Sequence, residues 1–543
     1  MVDRPVDVPR RARSDPHRFG PGRLLAAVLS GWSIAGVSAV MCAVLLSGLV
    51  VSAVPGHAAA QGTPTPKTGG TLTAAISSDP VNLDPALSSA YSTFEILENV
   101  YNQLVDLDAN LQVVPELAES WDVSPDKLSY TFHLRHGVKF HNGREMTADD
   151  VVYSLERVRN PDTKSGWAYL LDPLDKIQAV DPYTVLITTK TVYAPLLTKL
   201  TSAGLAIVPK EEVEKGDFDK RAVGTGPFKF VEFVPADHTT LVRNDDYWEP
   251  GLPYLDQIIY KPIPDDTVKK TNLETKNVDW VDNVPPKDVD SMMKSPDLVV
   301  HTVNAPSYWY LGVNLKRKPL DDKRVRQAIS YAVDREELAA LALYDLGVPS
   351  QTPIPEGNFW RSEYAPYSHD VDKAKELLQE AGVGDGFKTE FLVAQAYQPS
   401  VQIAEGAQSE LADVGIDATI RPLEWSTWLD EEGHGNYDMY VCGWIGLVDP
   451  DDFFYAQQKT GQVFNFTGYS NPDLDKLLDQ GRQELDPNKR KEIYDQVQKI
   501  LIDDLPYIYL MTQGSVNAWQ PYVKGYDVRP DSAISFKSTW LDK

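Results

Sequence analysis

Ala118–Val158 reads AESWDVSPDKLSYTFHLRHGVKFHNGREMTADDVVYSLERV. Leu128–Arg135 alternates within it: Tyr130, Phe132 and Leu134 point one way, and Ser129, Thr131 and His133 the other. That is the period of a half-buried strand in a hairpin. After a basic turn, Thr147 stands where a helix N-cap belongs, and Asp149 and Asp150 suit the positive end of the helix dipole. Val151, Val152, Leu155 and Val158 form the helix's buried stripe. The segment holds no nucleophile–base pair and no phosphate loop, so it speaks of fold rather than chemistry.

Outward from this segment the chain alternates strands and helices. Thr71–Ile76 reads as a first strand, and Phe94–Val105 as a helix. Tyr183–Thr189 is another strand. Gly224 and Gly226, in VGTGPFKF, suit a tight turn into strand Phe228–Phe233; their spacing fits neither common phosphate-binding motif. Pro319–Gly347 holds a helix of good length, and Asp370–Ala381 a second that Gly382 ends. Phe391–Ala394, Ile416–Arg421 and Tyr437–Trp444 are strands between helices, which predicts an α/β lobe. Helices Asp473–Arg482 and Asn488–Asp503 follow.

The 543 residues carry 52 basic and 78 acidic groups, a net charge of −26. Without residues 1–60 the balance is 46 against 75, a net of −29. A chain this acidic repels nucleic-acid and anionic lipid phosphates, so neither is an expected partner. The cysteines are Cys42 and Cys442. Cys42 lies in the N-terminal apolar run, so the folded part makes no internal disulfide and no cysteine zinc site. Cys442, in YDMYVCGW, reads as a buried small hydrophobe.

Arg10, Arg11, Arg13, Arg18 and Arg23 precede an almost uncharged run from Leu24 to Val54, then His57-Ala-Ala-Ala60. That is export architecture, and it places the chain outside the cytoplasm. Residues 1–60 are a signal peptide or, because the run is long enough to span a bilayer, an uncleaved membrane anchor. Residues 61–69 form a polar linker.

Four ordered segments then converge. Ala118–Val158 resembles the signature of the solute-binding proteins of peptide/nickel-type ABC transporters (family 5, oligopeptide- and dipeptide-binding-like). VGTGPFKF with RNDDYW, PLDDKRVRQAISYAVDREEL, and GWIGLVDPDDFF with NFTGYSNPDLDKLL resemble that family's further hallmarks, across roughly Gly69 to Lys543. The resemblance implies an α/β, two-lobed periplasmic-binding-protein-like fold with an extra domain inserted in the first lobe. Residues 70–101, 216–305 and 511–543 would form the first lobe, 102–215 the added domain and 306–510 the second lobe. It implies a monomeric receptor, not an enzyme and without cofactor or metal. Such a receptor captures a peptide or peptide-like solute by hinge closure and delivers it to a cognate ABC permease.

The crossover residues Tyr308, Trp309 and Tyr310 are candidate cleft groups, because aromatic rings stack on varied ligands. They can equally pack the interlobe strands. Trp425, Trp428 and Trp444 form a second group, and Trp444 matches a family tryptophan beside the ligand. Tyr91 and Ser92 follow the first strand, where the family contributes pocket groups. The resemblance also exposes two departures. Peptide binders of the family place an Asp three residues after that tryptophan to pair with the ligand ammonium. Here Leu447 stands there, unless a gap shifts Asp449 inward. Dipeptide binders use an Arg near the stretch Phe391–Ser400 for the carboxylate; this chain has none there, although Tyr397 lies within it. A buried charge without a partner is costly, so a free dipeptide held at both termini is not expected.

Asp449-Pro-Asp-Asp452 reads as a helix cap, since a calcium loop needs a Gly and a terminal Glu at other spacings. His133, His136 and His141 read as surface or capping groups. The rival function is an exported glycosidase using two of the many carboxylates, and ligand turnover separates it from a receptor. A sensor or chaperone receptor on the same fold is a third reading. No GxSxG elbow, HExxH helix or Walker loop points to other enzymes.

Overall fold

The computed structural model describes residues 65–543 apart from 396, 446 and 447, and not the side chains of residues 304, 345 and 426. The N-terminal segment read as an export signal or anchor, Cys42 and Leu447 therefore lie outside the described residues.

Eleven strands form one continuous sheet. The first strand, Thr71–Ile76, pairs parallel with Gln257–Pro262 and with Trp280–Val281. At the other end Phe387–Ala394 pairs parallel with Ile416–Leu423 and Met439–Trp444. Two long strands join these halves. Val299–Val313 and Tyr507–Trp519 run antiparallel, from Val299 opposite Trp519 to Gly312 opposite Tyr507. Their register shifts between Val303, paired with Ser515, and Ser307, paired with Gln513, so three residues face one. Gly514 is the one residue. A Cβ there would sit 2.6 Å from the carbonyl oxygen of Val303, so the strands cross this closely only with glycine. Ser307 Oγ donates to the Gln513 carbonyl at 2.6 Å and fixes the far side of the step.

Distinct cores flank the step. Leu72, Ile96, Ile258, Trp280 and Phe536 belong to one. Beyond the step the sheet is covered on both faces, and its strands sort their residues by parity. Leu311, Val313, Phe391, Val393, Met439, Val441, Ile508 and Leu510 enter an aliphatic core. Tyr308, Tyr310, Leu392, Tyr440, Tyr507 and Tyr509, their alternates, enter an aromatic one.

The opening segment lies in a separate four-stranded antiparallel sheet with its own core. Ala118–Val123 pairs with Ser129–Leu134, and Tyr130, Phe132 and Leu134 are buried. Helix Ala148–Arg159 starts at Thr147 with a capping box to Asp150, and buries Val151, Leu155 and Val158.

Two elements differ from the sequence expectation. The first helix is Tyr91–Leu97, and Val105 begins a strand. The chain leaves the helix because the Gly224–Phe228 loop takes its carbonyls: Phe228 N donates to Asn99 O and Gly226 N to Val100 O, each at 2.9 Å. A Cβ at Gly226 would lie 2.5 Å from Val100 C, so these glycines serve close approach. The helix within Pro319–Gly347 is two, Lys323–Ala332 and Arg335–Leu343. Asp334 breaks them by capping the second, accepting from Glu336 N and Glu337 N. Cys442 is half-buried rather than buried.

Candidate functional site

Trp444 ends strand Met439–Trp444 at the rim of the aromatic face and is half-buried. Its Nε1 donates to Tyr310 Oη at 3.2 Å. Phe464 meets the indole edge-on at 5.2 Å, and Tyr169, which packs against the core of the four-stranded sheet, meets Phe464 at 5.8 Å. Beneath lies a buried phenol cluster. Tyr310 Oη lies 3.3 Å from Tyr440 Oη, which donates to Tyr507 Oη at 3.4 Å. Tyr310 and Tyr507 stack at 4.0 Å. Burial of the Glu432 carboxyl beside these phenols pushes it up to about 8, so it is protonated at neutral pH.

The expected residues divide by position. Tyr308, Tyr310 and Trp428 are each 1% exposed and belong to the aromatic core. Tyr308 Oη donates to Gln457 Oε1 at 2.6 Å. Trp309 points to the opposite face, and its Nε1 donates to Gln513 Oε1 at 2.8 Å beside the register step. Tyr397, Trp425 and Trp428 form a ladder from surface to core. Tyr397 is exposed and meets Trp425 edge-on at 5.1 Å; Trp425 stacks on Trp428 at 5.0 Å. Trp428 then reaches Tyr440, so this ladder and Trp444 share one aromatic network. In helix Tyr91–Leu97, Tyr91 Oη donates to the Ser532 carbonyl at 3.2 Å, and Ser92 Oγ accepts from Ser78 Oγ at 2.8 Å.

The carboxylates of Asp449, Asp451 and Asp452 are all engaged. Asp449 caps helix Pro450–Gln458, with Asp452 completing a capping box. Both oxygens of Asp449 also receive Arg490, at 2.6 and 2.7 Å. Asp451 takes Arg482 in the same two-pronged way, at 2.7 and 3.0 Å. Asp452 pairs with Lys199, which also lies 3.2 Å from Asp451. Burial opposes the charge on Asp451, but Lys199 and Arg482 outweigh it and hold the carboxyl below its usual value. An incoming ammonium therefore meets no uncommitted carboxylate in this group. Sequence reasoning missed Lys199, Arg482, Arg490, Phe464 and Tyr169. The Asp449–Asp452 cap was visible, but its cationic partners lie in distant segments.

The histidines have local partners. His133 Nε2 lies 2.9 Å from Asp122 Oδ2, His136 stacks on Tyr183, and His141 Nε2 lies 3.0 Å from the Gly226 carbonyl.

Residues 112–466 match the sequence profile described as bacterial extracellular solute-binding proteins, family 5 Middle. The chain belongs to the family 5 solute-binding proteins. The glutathione-binding protein of Salmonella paratyphi A is 30% identical over 476 residues, covering 85% of this chain and 93% of that protein. That of Pectobacterium atrosepticum is 29% identical over 479 residues, covering 86% and 93%. Among solved structures, the ABC transporter-associated periplasmic binding protein DppA of Helicobacter pylori, in complex with the peptide STSA, is 30% identical. Its TM-score is 0.80, with 88% of this chain and 99% of that one covered. The binding protein AgaA of A. tumefaciens, in complex with agropinic acid, is 31% identical with TM-score 0.79, covering 87% and 99%. These family 5 relatives are binding proteins rather than enzymes, and the likeness extends to the two-lobed fold. Among the described residues of this family 5 chain, no helix is long and apolar enough to cross a membrane.

Proposed function

We propose that this protein is an extracytoplasmic receptor that captures a short peptide-like solute between its lobes and hands it, unchanged, to an ABC permease. The export pattern in residues 1–60 supports the location. The observation that carries the ligand class is the surround of Trp444. The site offers an indole held in place by Tyr310, beside carboxylates already committed to Arg490, Arg482 and Lys199. The indole stacks on a peptide-like body, and the engaged carboxylates behind it leave nothing there to grip a terminal ammonium. Glutathione, the ligand named for the relatives, is of this class, with its first peptide link made through a side chain. A free dipeptide clamped at both ends is not.

Native mass spectrometry of the full chain, purified without denaturation, tests the reading. The expected result is a bound peptide-like solute of a few residues, released intact on unfolding. Isothermal calorimetry with glutathione and trialanine should give saturable binding, and Trp444→Ala should weaken it at least tenfold with an unchanged unfolding midpoint. A hydrolysed product in the eluate, or a dipeptide held by both termini, overturns the reading.

A further inference from the structure

Lys199 ends the short helix Leu196–Lys199 of the added domain and is 5% exposed. Its ammonium leaves its own domain to meet Asp452 and Asp451, in the first turn of helix Pro450–Gln458 of the second lobe. With Asp449, Arg482 and Arg490 these form a balanced group of three acids and three bases. Arg482 and Arg490 come from the second lobe's own helices, Pro472–Gln483 and Pro487–Asp504. Lys199 is the cation supplied from across the cleft. A parting of the lobes would return Lys199 to water and leave Asp452 without its opposite charge.

Other contacts follow the same seam. The Ala194 amide donates to the Arg482 carbonyl at 2.7 Å. The Arg482 guanidinium lies over the Tyr193 ring at 5.4 Å. Tyr169 meets Phe464, which in turn meets Trp444. Between Trp444 and this seam the remaining cavity is about 30 Å³, room for about one water.

We infer that Lys199 selects ligand length: it seals one end of the cleft beside Trp444, so a ligand fits between closed lobes only if it stops short of the seam. The inference rests on the reading above that Trp444 lines the cleft. A peptide running on toward the added domain has to displace Lys199 from two buried carboxylates. Separating a buried pair from one side is strongly unfavourable, of a size that lowers affinity about a hundredfold. The residue thus acts on specificity by position, without touching the ligand.

The test uses the full chain as wild type, Lys199→Met, Lys199→Arg and the double variant Lys199→Met/Asp452→Asn, which removes the pair without leaving a lone charge. Calorimetry is run with glutathione, trialanine and a synthetic nonapeptide of alternating alanine and lysine. Hydrogen exchange is followed at Ala194, whose amide bridges the lobes, with Val185 and Ile187 of the added domain's core as internal controls. The wild type should bind a tripeptide probe at least a hundredfold tighter than the nonapeptide. Lys199→Met should speed exchange at Ala194 at least tenfold with the controls unchanged, and Lys199→Arg should restore protection. The double variant should lose at least tenfold of the length discrimination while keeping its tripeptide affinity. Equal binding of nonapeptide and tripeptide by the wild type overturns the inference. So does unchanged Ala194 exchange in Lys199→Met, which would leave the peptide reading standing if the tripeptides still bind. Failure of the wild type to bind any of the three peptides overturns the peptide reading itself, and length selection with it.

Discussion

The indole nitrogen of Trp444 donates to the hydroxyl of Tyr310, so a half-buried ring at the rim of the aromatic core is oriented by a phenol that is itself 1% exposed. Tyr310→Phe keeps the ring volume and removes that acceptor. It should cost about 1 kcal/mol in urea unfolding, the net contribution of one hydrogen bond to a half-buried indole. Affinity for glutathione should fall, but by less than with Trp444→Ala. An affinity loss equal to that of Trp444→Ala would mean that Tyr310 does more than orient the indole.

Asp449 and Arg490 are 6% and 7% exposed and meet through two hydrogen bonds. Arg490→Met leaves a carboxylate stranded in the interior. The expected loss is about 3–5 kcal/mol of stability, read from the shift in urea midpoint at constant slope. A loss below about 1 kcal/mol would show that water reaches and solvates Asp449.

Gly514→Ala places a methyl against the Val303 carbonyl at the register step. Overpacking of this kind costs about 1–3 kcal/mol. Because the step joins the two halves of the sheet, the variant should also slow ligand-driven closure, measured by stopped-flow tryptophan fluorescence with glutathione. Unchanged stability and kinetics would mean that the crossing strands separate easily.

Burial raises the Glu432 carboxyl to about 8. In the unfolded chain a glutamate titrates near about 4.3, so the native state holds the proton more tightly. Its contribution to stability is complete below about pH 4.3 and is lost as pH rises through about 8. Glu98, Glu116 and Glu410, also raised to about 8, act with the same sign. Glu432→Gln should therefore flatten part of the decline in unfolding free energy between pH 5 and pH 8.5, tracked by urea titration at several pH values. An unaltered slope would place Glu432 in contact with solvent.

The sequence disclosed local structure well because local rules govern it. Tyr130, Phe132 and Leu134 alternate and are buried, and Thr147 sits where a cap belongs and caps its helix. The first helix was misjudged because its end is set by Gly226 and Phe228, far along the chain, taking its carbonyls. The site was legible in part. Trp444 and Tyr310 could be named as cleft candidates, but not that one would orient the other. Tyr308 and Trp428 have the composition of cleft residues and the burial of core ones, a choice that periodicity does not make. Lys199 carried no mark at all, since a lysine in TVYAPLLTKL looks like any solvated lysine until Asp451 and Asp452 are brought to it.

The strand Tyr507–Trp519 lies at the middle of the eleven-stranded sheet, between Val299–Val313 and Trp280–Val281, yet it follows both of them far along the chain. Until it emerges from the ribosome, each half of the sheet lacks its central neighbour, and Val299–Val313 has an unpaired edge along its whole length. The two lobes therefore reach completion together and late, rather than one after the other during synthesis. A chain stopped after residue 506 should give neither lobe, and limited proteolysis of that product should find no resistant core beyond the four-stranded domain that contains Ala118–Val158. Late completion leaves the seam between the two halves of the large sheet open for most of synthesis, whereas the four-stranded sheet, with all its strands made early, can close first.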